Sequence, residues 1–230
     1  MNEIIRKRKS IRKYDQTPLD KETLEKVLAK IETLKPLYPD IKYKIELATK
    51  TKGLFGIKAP HYLIFRGEEK DGSYENIGFL GQQLDLFLPE NGLGTCWLGA
   101  SKPEETQKTD MPSIICMSFG KPDEPLYREI SGFKRKPLSE ISEGSDPRLE
   151  AARLAPSGMN AQNWYFIADS GKIHCYRKKS KSPLAFMLNN LARIDLGIAI
   201  CHIAEESTDF SFTKEQDTPA KKGHVYTGTI

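Results

Sequence analysis

No apolar run in the sequence approaches the roughly 18 residues that suggest a membrane-spanning helix. The longest candidate, Ile198 to Ala204, is interrupted by His202. The N-terminus opens on charged residues and lacks the apolar stretch of a signal peptide, and no Asn-x-Ser/Thr acceptor occurs. Cys96, Cys116, Cys175 and Cys201 form no Cys-x-x-Cys pair. They read as reduced, mostly buried thiols of a cytoplasmic protein. There is no His-Glu-x-x-His, no Gly-x-Ser-x-Gly and no Walker loop, which argues against a zinc protease, a serine hydrolase and a P-loop nucleotidase. His174-Cys175 and Cys201-His202 are adjacent pairs whose side chains diverge on a strand or helix, so no metal site is expected. Charge of one sign is not in large excess. Lys and Arg number 35 against 31 Asp and Glu, and a net +4 demands neither nucleic acid nor a membrane.

What is there suits a folded domain. The chain has 230 residues, 38% of them apolar, and 17 glycines. That is room for a sizeable core. After Pro18, the positions Leu24, Val27, Leu28 and Ile31 repeat at helical spacing, with Asp20 as N-cap and Pro36 as a stop. His61 to Phe65 reads as a buried strand. Glu75 to Leu88 reads as a helix ended by Pro89, followed by a tight turn at Gly92-Leu93-Gly94. Ser113 to Phe119 is a further strand. In the second half, Asp146-Pro147 starts a short helix over Leu149 to Leu154. Trp164 to Ala168 and Lys172 to Tyr176 form a hairpin across Ser170-Gly171. Leu188 to Glu205 is a long helix and His224 to Ile230 a last strand.

The order helix, strand, helix, strand thus occurs twice. Pro18-Leu19 answers to Pro137-Leu138, Leu24-Glu25 to Leu149-Glu150, His61-Tyr62 to Trp164-Tyr165, and Leu84-Asp85-Leu86 to Ile194-Asp195-Leu196. This predicts an α+β chain of two pseudo-symmetric halves with mainly antiparallel sheets, residues 1–130 and 131–230. Sites are expected at the seam between them.

Three segments carry candidate chemistry. Residues 6 to 13 contain six basic residues in eight around Ser10. Arginine forks suit phosphate, although a solvated basic face or a nucleic-acid patch has the same composition. No aromatic interleaving supports the last. Residues 155 to 164 read Ala-Pro-Ser-Gly-Met-Asn-Ala-Gln-Asn-Trp. Asn160 and Gln162 offer donors and acceptors to a flat heterocycle, or simply make a polar turn. Gly92 to Gly99 reads Gly-Leu-Gly-Thr-Cys-Trp-Leu-Gly, either a close backbone approach to a ligand or a C-cap with a buried Trp97.

Together the three resemble one family. Arg8-Lys9-Ser10-Ile11-Arg12 resembles the N-terminal Arg-x-Ser-x-Arg signature of flavin-dependent nitroreductases. Residues 155 to 164 resemble their Ala-Pro-Ser-x-x-Asn-x-Gln-x-Trp loop, and 93 to 99 their Gly-Leu-Gly-x-x-Trp-x-Gly turn. Lys134-Arg135-Lys136-Pro137-Leu138 resembles their basic C-terminal end. The order departs from the family: the Pro-Ser loop comes in the second half, and Gly56-Ile57-Lys58-Ala59-Pro60 stands in its usual place. The resemblance therefore implies an internally duplicated subgroup, a fused pseudo-dimer with one FMN at the seam.

By that resemblance Arg8, Lys9, Arg135 and Lys134 would hold the FMN phosphate, and Ser10 the phosphate or ribityl chain. Arg12 would face the N1–C2=O edge of the flavin ring. Pro156, Ser157, Gly158 and Asn160 would pack along the ring and ribityl chain. Trp97, Leu98 and Gly99 would line the N5–C4=O edge, while Gln162 would stabilise the loop. His202 and Cys201 read as core. The implied activity is an FMN-dependent NAD(P)H oxidoreductase with ping-pong transfer to a nitroaromatic, quinone or similar acceptor, and no catalytic side chain beyond electrostatic support from Arg12. A flavin-binding protein without turnover is the alternative. The expected partners are small molecules, with neither nucleic acid nor membrane, and the chain would be a monomeric pseudo-dimer or a homodimer of it.

Overall fold

Two long helices cross at the centre of the molecule at backbone contact distance. A Cβ on Gly78 would lie 2.1 Å from the carbonyl oxygen of Ile194, and one on Gly197 would lie 2.0 Å from that of Glu75. Only glycine permits such an approach. These helices are α3 (Ser73–Glu90) and α6 (Ala185–Ala204). The computed structural model describes residues 2–53, 56–104 and 111–230.

The first part of the chain comprises α1 (Glu3–Lys7), α2 (Lys21–Glu32), β1 (Tyr43–Ala48), β2 (Thr51–Gly53), β3 (His61–Gly67), α3, β4 (Gly94–Leu98), β5 (Ser101–Pro103) and β6 (Ser113–Gly120). The second comprises α4 (Leu138–Ile141), β7 (Ser142–Glu143), α5 (Leu149–Leu154), β8 (Trp164–Asp169), β9 (Lys172–Lys178), α6 and β10 (His224–Thr229). Among the described residues there are two four-stranded sheets, ordered β1-β3-β6-β4 and β10-β9-β8-β7, and a small pair β2-β5. All ladders are antiparallel except β7 with β8. The fold is α+β, as the sequence predicts.

Local chemistry sets several elements. The Asp20 carboxylate accepts from Thr23 N at 2.8 Å and caps α2. The β8–β9 turn uses left-handed Ser170 (φ 51) and Gly171 (φ 78), the pair of positive φ values that a two-residue hairpin turn needs. Asp146 accepts from Arg148 N at 2.9 Å at the start of α5. The four cysteines are free and buried.

Four sequence expectations change. Pro89 does not end α3 but lies inside its last turn, and the chain leaves through Asn91 and left-handed Gly92, with Leu93 N bonded back to Leu88 O at 3.0 Å. Leu28 is 45% exposed, so the apolar face of α2 is narrower than its spacing suggests. Residues 94–98 are a strand paired with β6 rather than a loop. By connectivity β3 answers to β9, and β1 to β8, because each long helix follows the second strand of an antiparallel pair. His61-Tyr62 therefore pairs in position with β9 and not with Trp164-Tyr165.

A buried polar chain ties the two long helices to their neighbours. Trp97 Nε1 donates to Gln82 Oε1 at 3.4 Å, Gln82 Nε2 lies 3.0 Å from His202 Nε2, and His202 Nδ1 lies 2.9 Å from Ala151 O. With Nδ1 donating, every group in the row is satisfied. Burial pushes the His202 imidazole down to about 3 and keeps it neutral. Among the described residues one helix, α6, is long and apolar enough to cross a membrane. Here its Ala192 and Ile194–Ile203 residues are buried inside the protein.

Candidate functional site

The N-terminal arm leaves α1 in extended form and lies against the edge of the first sheet. Isolated bridges join Arg8 to Tyr127, Ser10 to Thr95 and Tyr14 to Pro122. Ile11 N donates to Thr95 O at 2.8 Å, and Ile11 and Tyr14 enter a second apolar cluster with Tyr62, Ile64 and Leu98. Along extended chain, alternate residues share a side. Burying Ile11 therefore leaves Ser10 and Arg12 for the opposite side.

Opposite the arm stands the loop after α5. Met159 (φ 52), Asn160 (φ 56) and Gln162 (φ 47) all take left-handed backbone, a concentration of strain for non-glycine residues. Gln162, 2% exposed, pins the loop: its Oε1 accepts from Lys136 N at 2.9 Å, and its own N donates to Ser157 Oγ at 3.0 Å. Gly158 N donates to the buried Asp195 carboxylate at 2.9 Å. Burial pushes that carboxyl up to about 7, and the Gly158 N–H only partly offsets it.

Arm and loop enclose a cavity of about 410 Å³, lined by Arg8, Lys9, Ser10, Arg12, Glu124, Arg128, Arg135, Pro156, Ser157, Met159 and Asn160. That is a size typical of small-molecule sites. Five cations meet there against the carboxylates of Glu124 and, behind Arg8, Asp85. Arg8 is fully buried, with Nε 3.0 Å from Asp85 Oδ2. The Nε–H is not aimed at that oxygen, and the fork instead donates to the same carboxylate from Nη2 to Oδ1 at 3.5 Å. Thr95 Oγ1 donates to Asp85 Oδ1. Burial pushes the Asp85 carboxyl up and the Arg8 charge pulls it back. Lys9 Nζ lies 3.1 Å from Glu124 Oε2, while Glu124 Oε1 accepts from Arg12 N at 2.7 Å and Lys13 N at 3.2 Å. The Arg12 N–H, more than Lys9, holds the Glu124 carboxyl below its usual range.

The segment after β6 supplies Arg128 and Arg135. Arg135 donates to Leu154 O through Nε (3.4 Å) and Nη2 (3.3 Å) and to Asn160 Oδ1 through Nη1. Asn160 in turn donates to Lys134 O at 2.6 Å. The Arg128 guanidinium carbon lies over Phe133, 3.8 Å from the ring centre, and Nε donates to Arg8 O at 3.1 Å. Burial and neighbouring positive charges lower Arg128 to about 10 and Arg135 to about 9. Both stay charged at neutral pH, where five cations stand against two carboxylates.

The cavity thus gathers Arg8, Lys9, Ser10, Arg12, Arg135, Pro156, Ser157 and Asn160 of the residues the sequence predicts. Gly158 sits behind the loop on Asp195, and Lys134 is exposed beside it. Trp97, Leu98 and Gly99 do not line it. Trp97 stacks on Phe65 at 5.6 Å between ring centres, Leu98 is in the apolar cluster, and Gly99 lies against Leu191. The sequence reading missed Arg128, Glu124 and Met159. Met159 lies within the Pro-Ser loop motif, but Arg128 and Glu124 belong to no motif, and only the folding back of residues 122–128 onto the arm reveals them. A larger surface cavity, about 700 Å³, is lined by Glu3, Glu90, Glu205 and Glu206 among others and contains none of the predicted site residues.

The family model described as "Putative TM nitroreductase" matches residues 1–207. The chain belongs to this nitroreductase family. Its fold is shared with a solved "putative nitroreductase" from Thermotoga maritima MSB8, at 23% identity and a TM-score of 0.65, over 99% of this chain and 90% of that one. A nitroreductase family protein from Clostridium difficile 630 is similar at 20% identity and a TM-score of 0.50, over 61% of this chain and 96% of that one. An "FMN-dependent Nitroreductase" from Clostridium difficile R20291 aligns more loosely, at 19% identity and a TM-score of 0.46, over 58% of this chain and 95% of that one. No curated protein matches the chain. Family membership gives this nitroreductase a general oxidoreductase role.

Proposed function

We propose that this nitroreductase is an FMN-dependent NAD(P)H oxidoreductase holding one FMN per chain between its two halves. The observation that carries the reading is the seam cavity. One wall comes from residues 8–12 and the other from residues 156–160, and the segment 124–135 joins them. A fused pseudo-dimer accounts for this.

The donor set fits the group. A phosphate dianion suits several cationic and hydroxyl donors, and Arg128, Arg135 and Ser10 line one cavity in which cations outnumber carboxylates. Pro156, Ser157 and Asn160 would flank the ring and ribityl chain, and Arg12 would place a cation where charge develops on reduction. Bound FMN would supply the redox chemistry, taking electrons from NADH or NADPH and passing them to a nitroaromatic or quinone. The protein's own part is to bind, orient and polarise, which explains the lack of a catalytic triad. We place this activity in the cytoplasm, in a monomeric pseudo-dimer or a homodimer of it.

A second reading, flavin binding without turnover, is favoured by one observation: Trp97, Leu98 and Gly99, expected at the reactive edge, lie outside the cavity. A nucleic-acid patch has less support, since Arg8 is buried and Lys9 is paired, which breaks the basic run into separate charges. Mixing FMN-loaded protein with NADPH or NADH and then with a quinone decides between the first two. Bleaching by the nicotinamide and recovery on adding quinone, both at catalytic rates, are expected. A flavin that stays oxidised would overturn the oxidoreductase reading.

A further inference from the structure

Of the five cations around the cavity, three are already engaged. Arg8 is spent on Asp85 in full burial, and Lys9 on Glu124. Arg135 uses all three nitrogens of its fork on Leu154 O and Asn160 Oδ1, joining the 134–136 segment to the strained loop. Arg12 is exposed to water, with Nη1 turned back to Ser10 O at 3.4 Å. Arg128 differs from the three in keeping most of its fork unspent, and from Arg12 in being partly buried. Its Nε alone is bonded, to Arg8 O, and its two Nη groups have no partner among the described residues. It is half-buried, and its guanidinium carbon rests over the Phe133 ring, 3.8 Å from the centre. A planar, oriented, partly desolvated fork with four unspent N–H groups is built for bidentate contact with an anion.

We infer that Arg128 is the residue that reads the phosphate, and that Arg135 is a positioning residue that clamps the loop. The ligand's identity rests on the flavin reading above; the division of labour between the two arginines does not. Arg8, first in the Arg-x-Ser-x-Arg motif, then acts as an internal countercharge that fixes the arm and presents its carbonyl oxygen to Arg128.

Affinities for FMN and for riboflavin, which lacks the phosphate, separate the roles. By fluorescence titration, Arg128→Ala should weaken FMN binding roughly 10- to 150-fold, the loss of a charge-assisted contact, and leave riboflavin unchanged. Arg128→Lys should recover only part of the preference, because it keeps the charge and loses the fork. Arg135→Ala should weaken both flavins alike. An Arg128→Ala protein that still prefers FMN as the unaltered protein does, or an Arg135→Ala protein that alone loses the preference, would overturn the assignment. Inorganic phosphate, titrated into the flavin-free chain while the arginine Nε–H resonances are followed by NMR, tests it without flavin. The Arg128 signal should move first and furthest. If the unaltered chain refuses FMN but its Arg128 signal follows phosphate, the flavin reading fails and the anion site stands. If phosphate moves Arg135 and not Arg128, the inference fails whatever the flavin result.

Discussion

The two central helices each bury one aspartate, and the two carboxylates live differently. Asp85 on α3 faces the Arg8 guanidinium and the Thr95 hydroxyl. Asp195 on α6 accepts from a single backbone N–H, that of Gly158. Each tethers one wall of the same cavity, the arm in one case and the Pro-Ser loop in the other. One wall is fixed by a buried ion pair and the other by a carboxyl held near neutrality by burial. A buried charge with a partner is costly to break, whereas a buried carboxyl without one gives up its proton reluctantly.

The largest effect should come from breaking the pair. Asp85→Ala strands the Arg8 charge and should cost about 3–5 kcal/mol of unfolding free energy, read by urea denaturation. A loss under about 1 kcal/mol would mean that Arg8 reaches water or another acceptor when Asp85 is gone. Next comes the crossing that sets the helices side by side. Gly197→Ala puts a Cβ on the Glu75 carbonyl, and neither backbone yields easily. A loss of about 1–3 kcal/mol is expected, seen as a lower melting temperature.

The unpaired aspartate should show itself through pH. Its folded pKa, about 7, is above its ordinary value of 3.8. The stability tied to its proton is therefore fully present below about pH 4 and is lost as pH rises through about 7. Asp195→Asn removes this dependence, so the variant should gain about 3 kcal/mol on the unaltered protein between pH 5 and pH 8. Parallel stability curves across that range would show that Asp195 stays ionised and solvated. The smallest effect belongs to exposed Arg12. Arg12→Ala should lower the potential of bound flavin by only about 10–20 mV, since water screens its charge. A potentiometric titration with no fall would remove it from the flavin's edge.

Much of the fold was legible from local pattern. The α2 cap at Asp20, the Ser170-Gly171 hairpin, the short helix from Leu149 and both long helices follow from spacing and turn chemistry. The sequence reading missed the strand β1, although Tyr43-Lys44-Ile45-Glu46-Leu47 alternates with period two. The strand β4 was hidden by its glycines. Gly94 is there because a Cβ would strike Ile11 at 2.7 Å, so a tertiary contact overrides strand propensity. At the site, motif residues were readable because short spacing encodes them. Arg128 was not, because its role depends on which neighbouring cations already have partners, and only packing settles that. Trp97 shows the converse: its motif survives while its indole serves the core, on Phe65 and Gln82.

The central claim is a single flavin pocket shared by the two halves. A visible spectrum of the purified protein, with the released flavin identified and counted per chain, tests it most directly. Bands near ~450 nm and about one FMN per chain are expected. Two FMN per chain, or a colourless protein that refuses added FMN, would contradict the account.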